Sequence, residues 1–126
     1  MFLFGSSEKK KRKELDDAVN FLRAVLINEF FTKGFKKDHL SIEKLGSSLL
    51  IVENYLEKNK LMDKDTKRDS KTKDRILYRW SYDLRHDDRY NPPQYELYFP
   101  DKEGGLFMQR YLQHLVDLAE NNIKGN

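Results

Sequence analysis

The chain contains no cysteine, which excludes structural disulfides, thiolate zinc sites and a cysteine nucleophile, and fits a reducing, cytoplasmic setting. Long apolar runs are missing too. Ala24 to Ile27 and Leu49 to Val52 are each ended by an amide or a charge, far short of the roughly 18 residues that a membrane span requires. The opening Met1-Phe2-Leu3-Phe4 is apolar, but its lysines follow rather than precede it, unlike a secretory signal. No glycine-rich phosphate loop is present, because Gly104-Gly105 lacks the Lys and the Ser or Thr that such a loop needs. Nor is there a G-x-S-x-G nucleophile turn. His39, His86 and His114 have no His or Cys neighbour at metal-ligand spacing. Arg85-His86-Asp87-Asp88-Arg89 is the one cluster suited to acid–base or metal-assisted chemistry, and a solvated loop is its simpler account. No catalytic residue, metal or cofactor is therefore assigned, and an enzyme is not expected.

What remains is a polar but globular composition. The 126 residues suit one domain spanning the whole chain, with residues 1–6 as a flexible N-terminus. Charged residues make up 36% and aromatic residues 13%; the first figure exceeds the usual ~25%, while the second argues against wholesale disorder. The formal net charge is only +3, yet the basic residues cluster. One group is Lys9, Lys10, Lys11, Arg12 and Lys13; the other is Lys64, Lys67, Arg68, Lys71, Lys73 and Arg75. Either could displace counterions from a phosphate backbone. The alternative is a solvated helix start and a mobile loop.

Apolar spacing places a first helix over about Ser7 to Lys33, through Leu15, Val19, Leu22, Leu26 and Phe30, with Ser7 as N-cap and Gly34 as stop. Ala18, Phe21, Val25 and Phe31 widen that stripe, so the helix needs cover on two sides. A last helix begins near Leu106, with Met108, Leu112, Leu115, Val116, Ala119 and Ile123 on one stripe and Phe107, Tyr111 and Leu118 beside it. Between them, Arg75 to Leu84 alternates, with Ile76, Tyr78, Trp80, Tyr82 and Leu84 on one face, which predicts a strand with Trp80 buried. Tyr95, Leu97 and Phe99 repeat the alternation after Pro92-Pro93, so the two segments form an expected antiparallel hairpin.

Asp38 to Met62 carries the sharpest local pattern. Ser41 caps a short helix holding Ile42 and Leu45, Gly46-Ser47-Ser48 interrupts it, and a second helix holds Val52, Tyr55 and Leu56. Leu45-Gly46-Ser47-Ser48-Leu49-Leu50-Ile51-Val52-Glu53-Asn54-Tyr55-Leu56 resembles the bacterial winged helix-turn-helix pattern L-G-x-S-x-x-x-V-x-x-Y-L. The resemblance implies an α+β winged-helix-like domain with a helix-turn-helix, an antiparallel β-hairpin and long terminal helices, in which Asp65 to Asp74 is the tip of the wing. It also implies a small DNA-binding protein of the transcription-regulating or accessory type. Ser47, Ser48, Leu49, Leu50, Glu53, Asn54 and Glu57 would face the groove. Of these only Asn54 is equipped to read bases, since two Leu and two Glu are poor partners for DNA. Phosphate contacts then fall to Lys67, Arg68, Lys71, Lys73 and Arg75 on the wing, helped by Lys10, Lys11, Arg12 and Lys13. The partners expected are duplex DNA and a second copy of the chain packed through the terminal helices. The alternative is a protein-interaction module on the same fold that binds no DNA.

Overall fold

The computed structural model describes residues 2–29, 31, 39–86 and 101–125. They form four α-helices and, among the described residues, no strand: α1 (Phe2–Ile27), α2 (His39–Lys58), α3 (Lys64–His86) and α4 (Lys102–Gly125). The α+β winged-helix architecture is therefore overturned. The segment read as wing tip and strand is one continuous helix, α3, and Gly46-Ser47-Ser48 lies inside α2 rather than in a turn. Ser7 lies within α1, which starts at Phe2. Gly34, Asp87 to Arg89 and the expected second strand around Tyr95 to Phe99 lie outside the described residues.

Sequence neighbours run antiparallel. Lys44 sits over the Phe21 ring, 4.8 Å from its centroid, while Glu14 and Ile51 line one cleft between α1 and α2. Lys67 pairs with Glu57, and Leu77 faces Gly46, joining α2 to α3. Thr66 meets His114 near the start of α3, and Trp80 meets Asp101 near its end. The Arg23 guanidinium binds Glu120 and closes α4 onto α1. α2 and α4 also pack on each other, and each packs on both α1 and α3. This explains the wide apolar stripes of α1 and α4: each is covered by at least two helices of the same chain.

The core follows the helical period. Leu15, Val19 and Leu22 of α1, Leu45, Leu49, Val52 and Leu56 of α2, and Met108, Leu112, Leu115 and Ala119 of α4 are all buried. Trp80 is buried as expected, but from a helix, packed against Phe31 with ring centroids 5.7 Å apart. Its companions on the supposed strand face, Tyr78 and Tyr82, are exposed.

The helix ends are built from local polar chemistry. Asp63 caps α3 by accepting the Thr66 amide at 2.8 Å. That bond, followed by one from the Thr66 hydroxyl, holds the exposed Asp63 carboxyl below the usual aspartate range. α2 ends with Lys60 at φ 59°, its amide donating to Glu57 and the next amide, of Leu61, reaching back to Leu56. That is the left-handed closure for which glycine is the usual residue.

Gly46 distinguishes the two folds by experiment. It has no left-handed φ, and a Cβ there would stand 3.8 Å from Leu77 Cδ1, an ordinary contact. Gly46→Ala is therefore expected to stabilise the chain by about 0.5–1 kcal/mol, the helix-interior difference between the two residues. A thermal melt checks this, since a turn glycine would give the opposite sign.

Candidate nucleic-acid interface

Folding residues 64–86 as a helix sorts their charges by side. At about 100° per residue, Thr66, Lys73, Ile76 and Trp80 turn inward, and all four are buried. Lys64, Arg68, Lys71, Arg75, Tyr78 and Tyr82 follow one another at steps of four and three residues and are all exposed. Lys67 and Arg79 flank that line and are exposed as well. Six cations and two tyrosines thus share an outward sector about 120° wide. The helix's aspartates, Asp65, Asp69, Asp74 and Asp83, fall outside it. Three of the cations are engaged: Lys67 lies 3.6 Å from Glu57, Arg68 lies 3.5 and 3.3 Å from Asp65 and Asp69, and Arg79 lies 2.5 Å from Asp101. Lys64, Lys71 and Arg75 make no ion pair among the described residues; Arg75 only reaches the Thr72 hydroxyl at 3.4 Å. The pairs of Lys67 and Arg68 lie at the surface, contribute little stability and exchange readily for another anion, whereas Arg79 meets a carboxylate that is mostly covered.

The inward side of the same helix holds a buried polar junction of three helices. Lys73 Nζ lies 2.9 Å from Glu53 Oε1 of α2 and 2.5 Å from Asp74 Oδ1, and only 5% of the lysine side chain is exposed. Ser70 Oγ donates to Glu53 Oε2 at 2.8 Å, and the Tyr111 hydroxyl of α4 donates to the same oxygen. Burial, then the Glu53 carboxylate, pushes the Tyr111 phenol far above its ordinary range, so it remains a donor. Among the described residues no buried side-chain polar atom lacks a partner.

The sequence-derived contact residues separate accordingly. Lys67, Arg68, Lys71 and Arg75 come together on the outward side of α3, whereas Lys73 points the other way and is enclosed. Lys10, Lys11, Arg12 and Lys13 are exposed on α1, with Arg12 paired to Asp16 at 3.2 Å. Consecutive positions wind around the helix, so these four do not share a side. Ser47 is exposed and donates back to the Glu43 carbonyl, Asn54 is exposed, and Ser48 is buried. Leu49 and Glu53, which the resemblance places at a DNA groove, are also buried; two adjacent Leu are more simply expected to pack against protein, as Leu49 does and the 56% exposed Leu50 does not. The surface assigned to the recognition helix is thus divided, with Ser48, Leu49 and Glu53 inside and Ser47, Leu50, Asn54 and Glu57 outside. Lys64, Arg79, Tyr78 and Tyr82 are the members of the α3 surface absent from the sequence-derived set, and the four–three spacing was their signal.

Comparison of the chain with protein-family models, with curated proteins and with solved structures returns no match.

An open cleft of about 550 Å³ lies beside the first turn of α3, bordered by Asp63, Thr66, Arg68, Phe107, Arg110 and His114. His114 Nε2 is 3.0 Å from the buried Thr66 hydroxyl. The cleft mixes carboxylates with guanidinium groups and has no single electrostatic character. No helix among the described residues is long and apolar enough to cross a membrane.

Proposed function

We propose that this chain is a cytoplasmic nucleic-acid-binding protein of accessory or regulatory type, which holds DNA by its phosphate backbone along the outward side of α3. The supporting observation is the one-sidedness of that helix: six exposed cations share a sector free of α3 carboxylates. From Lys64 to Arg75 the cations extend over about 16 Å of helix axis, long enough to meet several phosphates. Backbone contacts carry little sequence information, and the exposed residues of the supposed reading surface of α2 include only Asn54 as a base reader, so low sequence selectivity follows. The exposed basic turn of α1 supplies additional long-range attraction. The rival reading, a protein-interaction module, draws less support. The exposed large aliphatic side chains Ile27, Leu50 and Leu106 belong to three different helices, and scattered apolar side chains are ordinary at a protein surface.

Titration of labelled DNA at several salt concentrations tests the proposal. Replacing Lys64, Lys71 and Arg75 together by Ala should weaken binding similarly for all sequences. It should also reduce the log–log salt slope by roughly 0.9 per lost contact on duplex, or roughly 0.7 on a single strand. An unchanged slope would remove α3 from the interface.

A further inference from the structure

We infer that the α3 surface prefers single-stranded to duplex nucleic acid, with Tyr78 and Tyr82 as the stacking platform for bases. The inference rests on the phosphate-binding role proposed above and adds the kind of strand bound. Tyr78 and Tyr82 continue the line Lys64, Arg68, Lys71, Arg75 without a break in spacing, and they remain 73% and 52% exposed. The two tyrosines lie about 6 Å apart along the helix axis, at the end of a row of phosphate-binding groups. Backbone-tracking cations beside exposed aromatic rings form the arrangement that holds single strands, because every base has a π-face while a duplex keeps its bases stacked inside. Arg79, the cation nearest the rings, is anchored by Asp101, whose other oxygen accepts the Gly104 amide. It therefore borders the platform in a fixed position. From Lys64 to Tyr82 the surface runs about 27 Å, within the reach of an oligonucleotide of several residues.

The test compares three labelled probes at matched salt: oligo(dT) of about 16 nucleotides, an abasic strand of the same length, and a duplex of the same length. The natural chain should bind oligo(dT) about tenfold or more tightly than either of the others, since loss of one stacked base lowers affinity roughly 5- to 150-fold. Tyr78→Ala with Tyr82→Ala should remove that advantage while leaving duplex affinity and the salt slope unchanged, and Tyr78→Phe with Tyr82→Phe should retain it. The abasic probe needs no substitution, so the comparison stands even if the alanine variant folds poorly. Equal, salt-dependent binding of all three probes overturns the stacking role and leaves backbone binding in place. Salt-independent binding, or none, with every probe overturns the proposed function and this inference together.

Discussion

Glu53→Ala is expected to destabilise the fold by about 3–5 kcal/mol, the usual result of removing one partner from a buried ion pair. The magnitude follows from what the carboxylate satisfies. It accepts from Lys73 Nζ, from the Ser70 hydroxyl and from the Tyr111 hydroxyl, so one side chain of α2 joins two residues of α3 and one of α4. Without it, the Lys73 ammonium keeps only Asp74, whose side chain is 67% exposed, and two hydroxyls lose an acceptor. Each such loss contributes on the order of 1–3 kcal/mol when the group stays dry, although the three losses overlap and do not add. Against a total stability of about 5–15 kcal/mol for a typical domain, the variant lies near the edge of folding. Denaturant titration measures this. A second variant separates specific pairing from simple packing: Glu53→Leu with Lys73→Met removes both charges, and it should recover much of the loss, because desolvation of two ions offsets most of what their attraction contributes. A double variant as unstable as Glu53→Ala would mean that the junction stabilises through its hydroxyls rather than its charges.

The same junction explains which helices were legible in the sequence. α1 and α4 announce themselves because every inward position is apolar, and the spacing of Leu15, Val19 and Leu22, or of Met108, Leu112 and Leu115, is enough. The inward stripe of α3 begins with Thr66, Ser70 and Lys73, which look like loop residues because their partners Glu53 and His114 lie 17 to 48 positions away. With the helical signal hidden in its first half, the short alternation around Tyr78, Trp80 and Tyr82 dominates and imitates a strand. Two-residue steps on a helix also place neighbours of the pattern about 200° apart, which is why Trp80 is buried while Tyr78 and Tyr82 are more than half exposed. In α2, Gly46 and Ser48 imitate a turn, but the helix tolerates the glycine beside Leu77 and encloses the serine.

The interface was half legible for a related reason. A basic run is visible in any conformation, but which of its cations act together depends on the period that sorts them. Read as a wing tip, Lys73 belongs with Lys71 and Arg75. Read as a helix, it belongs to the core, and Lys64, Tyr78 and Tyr82 take its place on the surface.

Asp101→Ala should cost about 2–4 kcal/mol, the second largest single effect expected. Asp101 precedes α4 and caps it through the Gly104 amide at 3.0 Å, while its other oxygen accepts the Trp80 indole at 2.9 Å and the Arg79 guanidinium at 2.5 Å. Loss of the cap contributes about 0.5–2 kcal/mol, and a stranded indole N–H on the buried Trp80 adds about 1–3 kcal/mol. Gly104→Ala reaches the same bonds from the other side. A Cβ at Gly104 would stand 2.2 Å from Asp101 Oδ2 and 2.7 Å from its Cγ, so the carboxylate must move off both the cap and the indole. Burial pushes the Asp101 carboxyl up, but the hydrogen bonds from Trp80, Gly104 and Arg79 together outweigh it and hold the group below the usual aspartate range. A carboxyl whose pKa is lower in the folded state contributes its full stabilisation above its unfolded pKa, and loses it as pH falls through the folded one. The contribution is therefore complete from about pH 4 upward and declines below it. Asp101→Asn, which keeps an acceptor but cannot titrate, should be less stable than the natural chain at neutral pH and should approach it in stability as the pH falls. Melting both proteins from pH 7 to about pH 2 measures the difference, and parallel curves would show that the charge at Asp101 contributes nothing to the cap.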